Sequence, residues 1–334
     1  LFPGLGGTPQ VALFNPRLVS EVFLPNNRSF QFSYNSYGEV AEVFPASGGR
    51  IAYGYDKGLP DAAYGGSFSG FTPSGLSEQA IYRRLVERKV FSDGLKNITT
   101  YSRPETWSGN GSVDYVDVDE LDADWNSLRR TRHFFHGSAR DSRFVDSIAY
   151  PAWKSGREYR TETYDSAARG GVLLQRVDQN FEQGGTVPWW TGAPDASPAI
   201  NPRVNDVVTR LPSSSGADKV SRTNQIFDRF NDPIQTDEFD YGSGAPGGLL
   251  RRTKRTYLEM QYGLDYADDF SIHLRGLPKI EEVYEPSSLE SPKSRTVYEY
   301  DRYSEEPAHA LLIDRSNVTQ HDSDYGTGYR PRGN

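Results

Sequence analysis

The sequence contains no cysteine, which excludes a disulfide framework, a thiolate zinc site and a thiol nucleophile together. Histidine is scarce, with five in 334 residues, and Met260 is the single methionine. Nothing approaches 18 consecutive apolar residues, so the sequence offers no membrane-spanning helix. Positive charge is in deficit: 37 Lys and Arg stand against 45 Asp and Glu, a formal net charge of −8. That balance argues against a generic nucleic-acid binder. The glycine clusters Gly4-Leu5-Gly6-Gly7 and 242–248 lack the phosphate-loop spacing with its Lys, and read as turns. The chain opens on Leu1 without a charged-then-apolar leader and stops at Asn334 without a closing apolar strand. The expectation is a segment of a longer polypeptide.

What is present favours strands. Tyr (21) and Phe (17) are abundant, while 32 Gly and 21 Pro interrupt any long helix. In Phe30-Gln31-Phe32-Ser33-Tyr34 the aromatics share one face, as a half-buried strand requires. The same period of two, or a β-branched and aromatic composition, marks 39–44, 51–55, 113–119, 128–135, 159–164, 171–181, 219–230, 249–262, 279–284 and 295–300. Residues 77–89 are the best helix candidate, although 86–91 fits a strand as well. Proline-rich 184–202 and glycine-rich 241–248 read as loops. The expected fold is all-β: antiparallel hairpin repeats in a continuous, spiralling or barrel-like sheet. Residues 1–334 then form one β-repeat region with a loop-rich insertion around 184–202.

A faint repeat supports this. Phe32-Ser33-Tyr34-Asn35 and Tyr53-Gly54-Tyr55-Asp56 share an aromatic-x-aromatic-Asx ending, 21 residues apart. Tyr298-Glu299-Tyr300-Asp301 repeats it, and Thr163-Tyr164-Asp165 and Ile226-Phe227-Asp228 are looser copies. Physically this is a hairpin module, in which aromatics anchor the strand and the Asx side chain bonds backbone where strand becomes turn. Stacked units of this length bury their faces only against neighbours.

These motifs, with 34–40, 49–56, 157–165, 250–253 and 321–329, resemble the Rhs (YD-repeat) family over most of the chain. Asn35 stands where the motif has Asp, the 21-residue spacing is lost after Asp56, and long insertions intervene. The resemblance implies a spiralling antiparallel sheet from a large bacterial secreted or surface protein, often wrapped as a shell around a toxic C-terminal segment. Neither the self-cleaving aspartyl motif that ends such shells nor a toxin domain is visible, so the segment would be wall and not cargo.

Few residues suggest chemistry. His133-Phe134-Phe135-His136 is a superficial metal pair, but residues three apart on a strand point to opposite faces. His273, His309 and His321 have no convergent carboxylate spacing. Asp114, Asp117, Asp119, Glu120, Asp122 and Asp124 form an acidic run that could take Ca²⁺, without the EF-hand spacing; the competing reading is an exposed charged strand face that discourages edge pairing. Trp189-Trp190, in a Pro/Gly loop, could stack on sugar rings, contact a partner, or pin the loop to the sheet. Asn27, Asn97, Asn110 and Asn317 begin Asn-x-Ser/Thr sequons.

The first functional reading is therefore a non-enzymatic, extracellular or cell-surface structural repeat protein without redox or nucleotide cofactor. Alternatives are a section of a toxin-enclosing shell, or a carbohydrate-binding or polysaccharide-active protein. Open strand edges imply packing against further copies or flanking repeats, end to end, with the acidic run away from that junction.

Overall fold

Alternating runs become strands because a pleated ribbon sends successive side chains to opposite faces. The structure, a computed structural model, describes residues 17–35, 38–56, 84–102, 114–136, 151–154, 156–166, 171–185, 191, 198–270, 272–302 and 333. Among these the strands are β1 (Glu21–Phe23), β2 (Ser29–Tyr34), β3 (Val40–Phe44), β4 (Arg50–Asp56), β5 (Arg84–Phe91), β6 (Leu95–Ser102), β7 (Asp114–Leu121), β8 (Ser127–Phe135) and β9 (Glu158–Tyr164). Then follow β10 (Leu173–Glu182), β11 (Arg203–Leu211), β12 (Lys219–Phe227), β13 (Pro233–Ser243), β14 (Leu249–Tyr257), β15 (Met260–Gln261), β16 (Leu264–Asp265), β17 (Pro278–Tyr284) and β18 (Ser294–Val297). Sixteen of them form one antiparallel sheet in chain order, while β15 and β16 pair separately as a small hairpin. The sheet is open: among the described residues β1 pairs only with β2, and β18 only with β17. The barrel-like form of the expected sheet is therefore not adopted.

Helix is limited to one 3-10 turn, Ala152–Lys154, among the described residues, and none is long and apolar enough to cross a membrane. The helix candidate at 77–89 is overturned where it is described, because β5 is extended and pairs with both β4 and β6. The runs at 219–230, 249–262 and 295–300 end sooner than their composition suggests, at Phe227, Tyr257 and Val297. Strands β1, β6, β11 and β13 lack a clean alternation and are set by pairing. β13 opens on Pro233, tolerated at a first strand position, and continues through Ser243 into the expected 241–248 loop. The turn after it is tight: a Cβ on Gly242 would meet Ala245 O at 2.3 Å and Gly247 N at 2.7 Å. No side chain fits there.

The chain divides into two compact units. The first comprises Leu1–Gln179, Thr186–Ala199 and Thr209–Ser214, and the second Asn180–Gly185, Ile200–Val208 and Ser215–Asn334. In the first, Ile98 is the one large apolar side chain fully out of solvent among the described residues, and Thr99 and Asp117 are buried polar ones. The second buries Val220, Leu258, Tyr266, Ala267 and Tyr284. Its best-packed part is the β14–β17 connection, where Tyr266 donates its hydroxyl to buried Asp301 at 2.9 Å. There Arg275 Nε donates to Ala267 O at 2.9 Å.

Candidate functional site

Four neighbouring strands of the first unit carry the densest chemistry. Register sets Asp117 opposite Arg132, Arg132 opposite Glu162, and Glu162 opposite Arg176, a row of alternating sign across β7–β10. The row on one side is Tyr115, Phe134, Arg160 and Asp178; on the other, Asp119 faces Arg130 and Arg130 faces Tyr164. Directly opposed residues share a face, so this grid lies on one surface.

Its bonds are charge-assisted and mostly two-pronged. Arg132 donates to both Asp117 oxygens at 2.6 and 2.8 Å, and Arg130 to both Asp119 oxygens at 2.7 and 2.9 Å. Arg160 and Arg176 each donate to Asp178 at 2.8 Å. Tyr164 donates to Glu162 at 2.5 Å, and burial first, that carboxylate second, pushes its phenol up to about 12. Arg132 also lies 4.2 Å from the centre of the Tyr115 ring. The bond to Asp117 raises the affinity of the Arg132 guanidinium for its proton.

The acidic run thus acquires a specific setting. Asp117 and Asp119 are not an exposed strand face, since cross-strand arginines cover them and Asp117 is 6% exposed. Glu120 is held by Arg129 at 2.5 Å with both side chains more open. Asp122 leaves the strand altogether: its Oδ1 accepts the N–H of Asp124 at 2.9 Å and of Asn126 at 2.8 Å. Bonds from Asn126, side chain first, hold the Asp122 carboxyl below its usual range. Asp114 ends the run at the start of β7. Among the described residues no three His, Asp or Glu side chains converge as metal ligands.

Asp122 belongs to a recurrent turn. In Asn35–Glu39, Asp122–Asn126 and Asp228–Asp232 the first residue's N–H donates to the carbonyl of the fifth, and the fourth donates back to the first. The fourth residue has positive φ each time: Gly38 at 77°, Trp125 at 66° and Asn231 at 77°. The first side chain's Oδ1 accepts the fifth N–H, at 3.1 Å for Asn35, 2.8 Å for Asp122 and 2.9 Å for Asp228. This is the three-residue hairpin loop with a left-handed fourth position.

The other repeat-motif residues occupy varied places. Tyr34 donates to Val19 O at 2.6 Å. Tyr53 lies in β4, where burial raises the Tyr55 phenol, and Asp56 ends that strand. Asp165 Oδ1 accepts the Val172 N–H at 3.0 Å. Phe227 lies 4.9 Å beneath the Arg203 guanidinium. Tyr298 and Tyr300 follow β18, and Tyr300 donates to Pro278 O at 2.7 Å. Asp301 itself has φ of 55° and accepts from Tyr266 in a long-range bond. Trp189 and Trp190 lie outside the described residues.

His133 and His136 have separate surroundings. His133 Nδ1 is 2.7 Å from Glu158 Oε1, whereas the His136 ring lies 4.7 Å from that of Tyr159. Burial, then the Lys154 charge, holds the His136 imidazole down to about 4. In the second unit an open cleft of about 440 Å³ is lined by Ile226, Ile234, Ile280, Lys254, Glu259 and Glu282 among others. Glu259 there is drawn to Arg229 and Glu282 to Arg295, so these two carboxylates serve ion pairs.

The arginines are what a reading by motif misses. Folding 127–135 back on 114–121 about the Asp122 turn aligns Arg129, Arg130 and Arg132 with Glu120, Asp119 and Asp117. That charge order is the signal that finds them.

No protein-family model matches the chain, and no curated protein matches it. Among solved structures it is similar to TcdB2-TccC3 without its hypervariable C-terminal region, at 12% identity and a TM-score of 0.42 over 75% of this chain and 15% of that one. It is also similar to the Tc holotoxin pore of Photorhabdus luminescens, at 10% identity and a TM-score of 0.43 over 74% of this chain and 15% of that one. The chain spans about 15% of the length of these structures. Likeness at these TM-scores assigns neither a family nor an activity.

Proposed function

We propose that this chain is a section of a non-enzymatic, extracellular repeat wall of Rhs type, extended at its edges by further strands. The observation that carries this is the strictly sequential sheet whose acids pair with arginines on adjacent strands. Carboxylates engaged in this way hold strands in register; they do not sit across a cleft as an acid and a base must. The finer form, a shell section around a toxic segment, follows from the family resemblance, and a toxin sequence downstream in the parent protein is its test.

Incubating the full chain with a panel of oligosaccharides, while following reducing-sugar release and tryptophan fluorescence, separates wall from polysaccharide-active protein. The wall reading expects no turnover. Reducing sugar released in proportion to protein, and lost on replacing a specific carboxylate pair, overturns it.

A further inference from the structure

The cleft of the second unit combines an aliphatic floor with a charge left over. Register sets Ile226 opposite Gln235, Gln235 opposite Lys254 and Lys254 opposite Glu282, and two residues along the strand Thr256 faces Ile280. Opposed residues, and residues two apart on a strand, share a face. Ile226, Lys254, Thr256 and Ile280 therefore reach the cleft from one side of the sheet. Ile234 is the extra residue where the β12–β13 register shifts, and it lines the cleft too. Ile226 is 46% exposed, so aliphatic surface meets solvent in a hollow of the size that takes a small ligand.

The charged groups around this floor are engaged, with one exception. Asp228 Oδ1 accepts the N–H of Phe230 and of Asp232 in its own turn. Arg255 pairs with Glu281 at 2.7 Å and Glu259 with Arg229 at 3.4 Å. Glu282 accepts the Tyr284 hydroxyl at 2.7 Å and meets Arg295 at 3.3 Å. Lys254 differs: it is half-buried and its ammonium lies 5.0 Å from the centre of the Tyr284 ring. No carboxylate stands within ion-pair reach of it among the described residues. An ammonium has three N–H donors, and a ring face attracts the charge without supplying a lone pair.

We propose that this cleft binds a small apolar carboxylate, its chain against Ile226, Ile234 and Ile280 and its carboxylate on the Lys254 ammonium. An anion is favoured over a cation, which Lys254 repels, and over a neutral chain, which brings no charge to the unpaired group. Thr256, exposed on the same face of β14 as Lys254, offers a hydroxyl to the second carboxylate oxygen. The site goes beyond the wall reading and does not depend on it.

Octanoate, octanol and octylammonium, titrated into the full chain carrying methyl-labelled isoleucine, test this by nuclear magnetic resonance. Ile226→Val, Ile234→Val and Ile280→Val identify the three methyl signals. Octanoate is expected to move these signals and to saturate at about millimolar concentration. Octanol is expected to bind about tenfold more weakly and octylammonium not to bind. Lys254→Met, checked for an unchanged circular dichroism spectrum, weakens octanoate about tenfold and leaves octanol as it was, while Lys254→Arg restores octanoate. Octanoate that does not saturate, that moves other isoleucines instead, or that binds Lys254→Met like the parent overturns the site. Octylammonium binding as well as octanoate also overturns it, since apolar contact alone would then account for both. None of these outcomes bears on sugar release, so the wall reading stands or falls separately.

Discussion

Asp117 is a carboxylate almost withdrawn from water, with a two-pronged arginine as its partner. Truncating it leaves Arg132 half-buried without compensation, and such orphaned groups cost more than the pair contributes. Asp117→Ala is expected to lower stability by about 2–3 kcal/mol in urea unfolding, whereas Glu120→Ala, in a more open pair with Arg129, costs under about 1 kcal/mol. His136 gives a residue-level pH dependence. Its folded value of about 4 lies below the usual 6.5, so the unfolded chain binds more protons between those values. Stability from the neutral ring is complete above about pH 6.5 and is lost as pH falls toward 4. His136→Phe keeps an aromatic ring against Tyr159, so its melting temperature should fall less than the parent's between about pH 7 and about pH 5.

At the scale of elements, the hairpin turn is the recurring device. A left-handed fourth residue closes the loop, and the Asx side chain satisfies amides that the strand ladder leaves behind. In the Asp228 turn, Oδ1 takes the N–H of Phe230 at 2.8 Å and of Asp232 at 2.9 Å. Asp228→Ala is expected to cost about 1 kcal/mol, and Asp228→Asn much less, because its amide oxygen still accepts. Denaturant midpoints of the two variants measure this; equal losses would mean that charge, and not the turn bond, is what Asp228 supplies.

For the molecule as a whole, the consequence is sparse burial. Six apolar side chains reach the buried class among the described residues, and heat capacity of unfolding tracks apolar area exposed. Calorimetry of the isolated chain should give less than the usual ~12 cal/mol/K per residue. Because each strand of the large sheet pairs with its successor within that sheet, opening should proceed inward from the edges, as in other linear arrays. Hydrogen exchange in dilute solution should be fastest in β1 and β18 and slower in β7, β8, β13 and β14.

Local chemistry alone settled the strand-rich class, because period-two patterning and frequent Gly and Pro leave little else. It also exposed the acidic run at 114–124, but not what that run is for. The partners of Asp117 and Asp119 are neighbours only once β8 folds back on β7, and register is a property of two strands together. The same reason hid β6 and β13, whose patterns are weak and whose pairing is strong. Local chemistry left helix and strand both open at 86–89, where pairing of β5 with β4 and β6 decided for the strand. Asp301 shows the limit most sharply. Its motif resembles that at Asp228, yet a tyrosine 35 residues earlier donates to its carboxylate, a partner that only tertiary packing brings to a buried acceptor.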